Sequence, residues 1–180
     1  MKPGQDIVVT GFIGLEGTVR AVEREEARLG KTLPQDLLDT AKSFREYLKA
    51  SPEAAVARRH GEIAMQEVRN GGIFAALWNM AEEYRAGLTV YLKKIPVRQE
   101  TIEICEALEL NPYELLSGGC MLLAVNNSND VIPELLDMGR PAAFIGKVTD
   151  SNDRIVLNGE NVRYLNKPEP DEAEKLDREV

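Results

Sequence analysis

Histidine occurs once in this chain and cysteine twice, and aromatic residues make up only 6% of it. Each scarcity narrows the chemistry. Neither Cys105 nor Cys120 has a metal-ligand pattern nearby, so the thiols read as buried and free in a reducing cytoplasm, with a single disulfide as the alternative. His60 follows Arg58 and Arg59 with no orienting partner marked in the sequence, and reads as a surface residue, not a general base. No apolar run approaches the roughly 20 residues that span a bilayer, and the opening MKPGQD has no apolar signal core. A soluble, cytoplasmic protein with no membrane partner is the expectation. Basic residues are in the minority: 22 Lys and Arg stand against 30 Asp and Glu, a net charge of −8, with no dense basic cluster. That argues against a nucleic-acid surface, although a local phosphate site needs no basic total.

What is present is an ordinary globular composition, 43% hydrophobic over 180 residues, enough for one well-buried core or two small ones. Residues 65–81, MQEVRNGGIFAALWNMA, organise the rest. They run from a strand through a Gly-Gly turn into a helix whose Ile73, Leu77 and Met80 share one face. The first turn of such a helix leaves backbone N–H groups unpaired, which suits a phosphate or carboxylate. Gly71 and Gly72 permit close approach or positive φ, and Glu67 stands just before the turn, where it could hold a cation. The alternative is an ordinary strand-turn-helix corner.

Along the chain, residues 6–13 (DIVVTGFI) read as a buried strand, and Gly11, Gly14 and Gly17 lead tightly into a helix over 16–29 stopped by Gly30. A second helix runs from Pro34 to about residue 50, and Ser51 with Pro52 caps a third. A strand at 88–92 precedes a helix over 99–110. CMLLAV at 120–125 fits a central strand covered on both faces. A polar loop at 126–130, a helix over 131–138 and a strand over 142–148 follow. Residues 154–157 and 162–165 form a hairpin across Asn158-Gly159. Residues 1–166 thus make one mixed α/β domain with helices against a sheet, and 167–180 a charged, loose tail.

Several of these segments stand in a recognisable order: GFIGLEGT, the M-x-x-x-x-x-GG turn and its helix, KKIPVRQETIEICEALELNPYELLSGG, MLLAV and AAFIGKVTD. Together they resemble the carboxy-terminal domain of AIR synthase-related (PurM-like) proteins over residues 3–175. That superfamily includes aminoimidazole ribonucleotide synthase, thiamin-monophosphate kinase, selenophosphate synthetase and hydrogenase maturation factors, the last being the branch most alike. The resemblance implies a three-layer α/β/α fold with a mixed, partly ferredoxin-like sheet. It also implies an amino-terminal domain that binds most of the ATP and Mg2+ and usually forms the dimer. MKPGQD resembles the connection after that domain, so a split gene and an excised domain both suit the chain.

The family's M-H-D-x-T-x-G-G turn, which faces phosphates across the interdomain cleft, is here Met65-Gln66-Glu67-Val68-Arg69-Asn70-Gly71-Gly72. Gln66 replaces histidine, Glu67 aspartate and Arg69 threonine, and Asn79 stands where many relatives have glutamate. Ser117-Gly118-Gly119 answers an S-S-G turn with one hydroxyl fewer. On this resemblance Glu67, Asn70, Gly71 and Gly72 face ATP phosphates, Glu67 holds Mg2+ through water, and Ser117, Gly118 and Gly119 line the substrate side. The paired carboxylates of thiamin-phosphate kinases are absent from QEVRNGG, and DREV ends the sequence where carbamoyl-dehydrating maturation factors carry a cysteine. Three functions remain. The chain is half of an ATP-utilising enzyme needing an amino-terminal domain in cis or trans, or a non-catalytic interaction module that keeps the fold, or a thiol protein acting through Cys120. Apolar surface meant for a missing half would also favour a homo-oligomer.

Overall fold

The alternation of DIVVT decides the architecture. In strand β1 (Asp6–Thr10), Ile7 and Val9 pack on one side of the sheet and Val8 on the other, all fully buried. Strand β4 (Cys120–Val125) repeats the pattern, with Leu122 and Ala124 facing one way and Leu123 and Val125 the other. One face is covered by helix α4 (Gly72–Tyr84) through Ile73, Leu77 and Met80. The other is covered by helices α3 (Glu53–Arg59) and α6 (Ser128–Asp137) through Val56, Val131 and Leu135. Three layers follow, as the resemblance implied. The computed structural model describes residues 1–49, 53–61 and 64–177.

The sheet has seven strands, completed by β2 (Ala64–Val68), β3 (Gly87–Tyr91), β5 (Ala142–Thr149), β6 (Arg154–Asn158) and β7 (Asn161–Tyr164). Their order is β2-β4-β1-β5-β3-β6-β7, and only β3 and β6 pair in parallel, so the sheet is mixed. Helices α1 (Leu15–Leu29), α2 (Gln35–Ser43) and α5 (Gln99–Leu108) build a second core around Val19, Val22, Leu38, Phe44, Ile104 and Leu115. Among the described residues no helix is long and apolar enough to cross a membrane.

Several element limits differ from the expectation for identifiable reasons. The first strand stops at Thr10, because Gly11 turns away with φ +73 and donates to the Pro141 carbonyl. The second helix ends at Ser43 and tightens into a 3-10 turn over Phe44–Leu48. The expected Ser51 cap lies outside the described residues. Helix α6 starts three residues early, at Ser128, because the Asn127 side chain caps it by accepting from the Asn129 N–H at 3.1 Å. The expectation of a loose tail fails for residues 171–177. Asp171, Glu172 and Ala173 are buried, and a 3-10 turn over Glu172–Asp177 rests on α1 and α5, where Ala173 and Leu176 join the second core.

Candidate functional site

Antiparallel pairing of β2 with β4 sets Glu67 opposite Met121 and Val68 opposite Cys120, so the end of β2 meets the start of β4. The same edge of the sheet receives the end of β1, where Thr10 pairs with Met121 and with Ala142. Around this junction lies a cleft of about 340 Å³ whose lining includes Glu16, Glu53, Glu67, Arg69, Gly118 and Arg140. Gly119 also lines it, pressed so close to the Phe44–Leu48 turn that a Cβ there would lie 2.6 Å from the Tyr47 carbonyl oxygen.

The cleft floor is ionic and largely buried. Glu53 is only 2% exposed; its Oε1 accepts from Thr10 Oγ1 at 2.7 Å and from Arg140 Nε at 2.6 Å. Arg140 Nη2 also donates to the Gly119 carbonyl, and Thr10 Oγ1 accepts from the Met121 N–H at 3.2 Å. The pair thus ties three strand ends together at the Gly118-Gly119 turn. At the mouth, Glu16 accepts from the Gly118 N–H at 3.0 Å. Among the described residues, the cleft's cations Lys49, Arg69 and Arg140 match its acids Glu16, Glu53 and Glu67 in number, so they set up no strong field of one sign.

The Gly-Gly turn lies elsewhere. Gly71 lines a separate hollow of about 330 Å³ with Phe74, Glu114, Arg163 and Lys167. Its N–H donates to Asp171 Oδ2 at 2.6 Å, and the Gly72 N–H donates to the Arg69 carbonyl at 3.0 Å. Leu116 and Ala173 donate to Asp171 Oδ1 at 3.2 and 2.8 Å. A carboxylate of the chain itself therefore sits where sequence reasoning placed a phosphate.

The expected site residues thus divide. Glu67, Gly118 and Gly119 share the cleft, Gly71 sits in the second hollow, and Asn70 is exposed. Ser117 stands apart. It is fully buried, its hydroxyl accepting from the Gly14 N–H at 2.7 Å and donating to the Leu115 carbonyl at 2.6 Å, so it fastens the α1 start and is in the described lining of neither hollow. Glu67 does not make a magnesium site by itself. Its carboxylate is paired with Arg69 Nε at 2.8 Å, and no group of three or more metal-ligating acids, histidines or cysteines occurs among the described residues.

The thiol route also closes. Cys105 and Cys120 are free and buried, and burial pushes both thiols up to about 12, leaving almost no thiolate at neutral pH. His60 is less isolated than expected. It is partly buried with Nε2 2.6 Å from Glu134 Oε2, and Arg59 pairs with the same carboxylate. That cluster lies outside both hollows. Sequence reasoning missed Glu16, Glu53, Arg140 and Asp171. Glu16 alone carried a local signal, lying inside GFIGLEG between two of its glycines.

A sequence model of the family AIR synthase related protein, C-terminal domain, matches residues 2–158. A hydrogenase expression/formation protein of Methanocaldococcus jannaschii is 26% identical over 161 residues, which cover 87% of this chain and 46% of that protein. The crystal structure of E. coli HypE, a hydrogenase maturation protein, superimposes with a TM-score of 0.75 at 22% identity, over 93% of this chain and 51% of that one. A HypE structure in complex with ATP gives 0.69 at 18% identity, over 93% and 52%. At such identities the structures establish the shared fold, and the chain spans about half the length of these relatives. This chain belongs to the AIR synthase related family, of which it is a C-terminal domain.

Proposed function

We propose that this chain is the carboxy-terminal half of an ATP-utilising protein of the hydrogenase maturation type, completing a phosphate and substrate cleft with an amino-terminal ATP-binding domain in cis or in trans. The observation that carries the reading is the family match over residues 2–158 together with a span of about half of each relative. The HypE complex with ATP supports a nucleotide in such proteins. Glu67, Gly118 and Gly119 are the residues of this half assigned to the substrate side, and Gly71 and Gly72 to the phosphates. Since the Gly71 and Gly72 N–H groups are taken within the chain, most of the nucleotide contact falls to the other domain. Magnesium is assigned to that domain as well, because Glu67 has no second or third metal-ligating side chain beside it among the described residues.

Chemical-shift mapping tests the assignment. With ATP-Mg and a matching amino-terminal domain both present, the Gly118, Gly119 and Glu67 resonances should move more than those of β6 and β7. Movement confined to other surfaces would remove the assignment.

A second reading has its own support. Glu67, Ser117, the Gly71, Gly72 and Gly118 N–H groups and the Gly119 carbonyl each have a partner inside the chain, as in a fold kept for interaction after the chemistry is lost. Association with the amino-terminal domain that alters no nucleotide binding would favour it.

A further inference from the structure

The two halves of the sheet are covered unequally on the α3 and α6 side. Pairing of β3 with β6 and of β6 with β7 sets Tyr91, Leu157 and Val162 side by side on that face, with Ile155 and Tyr164 beyond them. Phe144 of β5 shares the face, opposite Val8 and with its ring centroid 6.1 Å from that of Tyr91. On the α4 side these strands are sealed, and Leu88, Val90 and Val156 are buried. On this side Tyr91, Phe144, Ile155 and Leu157 are half-buried, and Val162 and Tyr164 are 62% and 65% exposed. The core beneath α3 and α6 takes no described residue from β3, β6 or β7. The helical layer therefore stops at α6, which rests on β1 and β5, and a trough one helix deep lies beside it.

Helix α6 walls this trough with apolar surface. Glu134 meets Arg59 and His60 at the end of α3, and Leu136, two residues on, stands about 160° round the helix from it, toward the trough. Leu136 is 53% exposed; with Met138, Val162 and Tyr164 it makes four of the seven exposed large apolar side chains among the described residues. Such surface collected on one layer marks an interaction site. The charges across it are complementary. Lys94 Nζ lies over the rings of Tyr91 and Phe144 at 5.0 and 4.7 Å with no carboxylate partner among the described residues, whereas α6 carries Asp130, Glu134 and Asp137 and no cation.

We infer that a second copy of this chain docks here about a two-fold axis, the α6 ridge of each copy lying in the trough of the other. Two sheets then share one middle layer of helices, and each trough gains the cover it lacks. Area selects a second copy over a lone helix. Three bare strands about 4.8 Å apart, each about five residues long at about 3.4 Å per residue, offer about 250 Å². A specific interface needs about 500 Å² or more a side. Reciprocal docking adds a ridge to each trough, roughly doubles the patch and reaches that lower bound, so the dimer is a weak one.

Sedimentation equilibrium of the full chain, up to about 1 mM, should show monomer and dimer and nothing larger, because a two-fold contact closes on itself. Leu136→Glu and Tyr164→Glu, both at exposed positions, should each weaken the dimer at least about tenfold. An equimolar mixture of the two variants should hold more dimer than either alone, since the mixed dimer keeps one ridge and trough with both native residues. A parent that stays monomeric, dimerisation undiminished in both variants, or no gain on mixing would each overturn the inference. Should Tyr164→Glu fail to fold, Val162→Asp takes its place, and the parent's own association needs no variant. A monomeric parent whose Tyr91 and Tyr164 resonances move when an amino-terminal domain is added would give this face to that domain, and the second copy would be wrong. No arm contains nucleotide, so the result stands or falls independently of the split-cleft reading.

Discussion

Replacing Glu53 by alanine is expected to destabilise the fold by about 3–5 kcal/mol, the usual loss when one member of a buried ion pair is removed. Glu53 is 2% exposed, and the Arg140 side chain it holds is 13% exposed. Without the carboxylate, the guanidinium keeps its bond to the Gly119 carbonyl but loses its counter-charge, and Thr10 Oγ1 loses its 2.7 Å partner. Urea unfolding should show the loss as a lower midpoint at unchanged slope. The double variant Glu53→Ala with Arg140→Met should recover part of the loss, since the stranded cation is gone. A loss below about 1 kcal/mol for the single variant would mean the pair is solvated, as surface pairs are. The effect bears on function because the same pair holds the Gly119 carbonyl at the cleft floor.

Gly72→Ala is the second large effect, with an expected loss of about 3 kcal/mol. Gly72 has φ +64, and alanine in that left-handed region costs about 1–2 kcal/mol. An added Cβ would also lie 2.5 Å from the Tyr113 carbonyl oxygen and 2.8 Å from the Leu115 nitrogen. Both are backbone atoms and cannot rotate away, so overpacking adds about 1–3 kcal/mol. Gly139→Ala separates the two contributions. Gly139 has φ +72 with nothing within 4 Å of its added Cβ, so that variant should show the conformational part alone. Equal losses in the two variants would contradict the packing account. The Gly72 clash also pushes on residues 113–116, which carry the Leu116 N–H to Asp171.

Much of the fold was legible because its signals are local. CMLLAV became a central strand with the expected limits, since an apolar run of that length has nowhere to lie except between two covered faces. Helix α4 begins at the glycines because their positive φ turns the chain once the strand has ended at Val68. The sequence pattern understates helix α6 because its first turn, Ser128 to Asp130, is polar like a loop. Only the Asn127 cap distinguishes the two.

The site was legible only in outline. Glu53 and Arg140 lie 87 positions apart, and Asp171 reaches a nitrogen 100 positions away. Neither pairing has a periodicity or spacing to announce it. An acid in a proline-punctuated charged segment looks solvated, and Asp171 is buried only because backbone N–H groups elsewhere require an acceptor. Ser117 misled for the opposite reason: a hydroxyl beside two glycines resembles a ligand contact, but here the α1 start needed it first.

Isothermal titration of the purified chain with ATP-Mg, alone and with a matching amino-terminal domain, tests the central claim most directly. The split-cleft account predicts nucleotide heat that this chain strengthens or alters when the two halves are together, and none for this chain alone. Stable association of the halves with nucleotide heat identical to that of the amino-terminal domain by itself, at two temperatures so that a silent enthalpy is excluded, would contradict it.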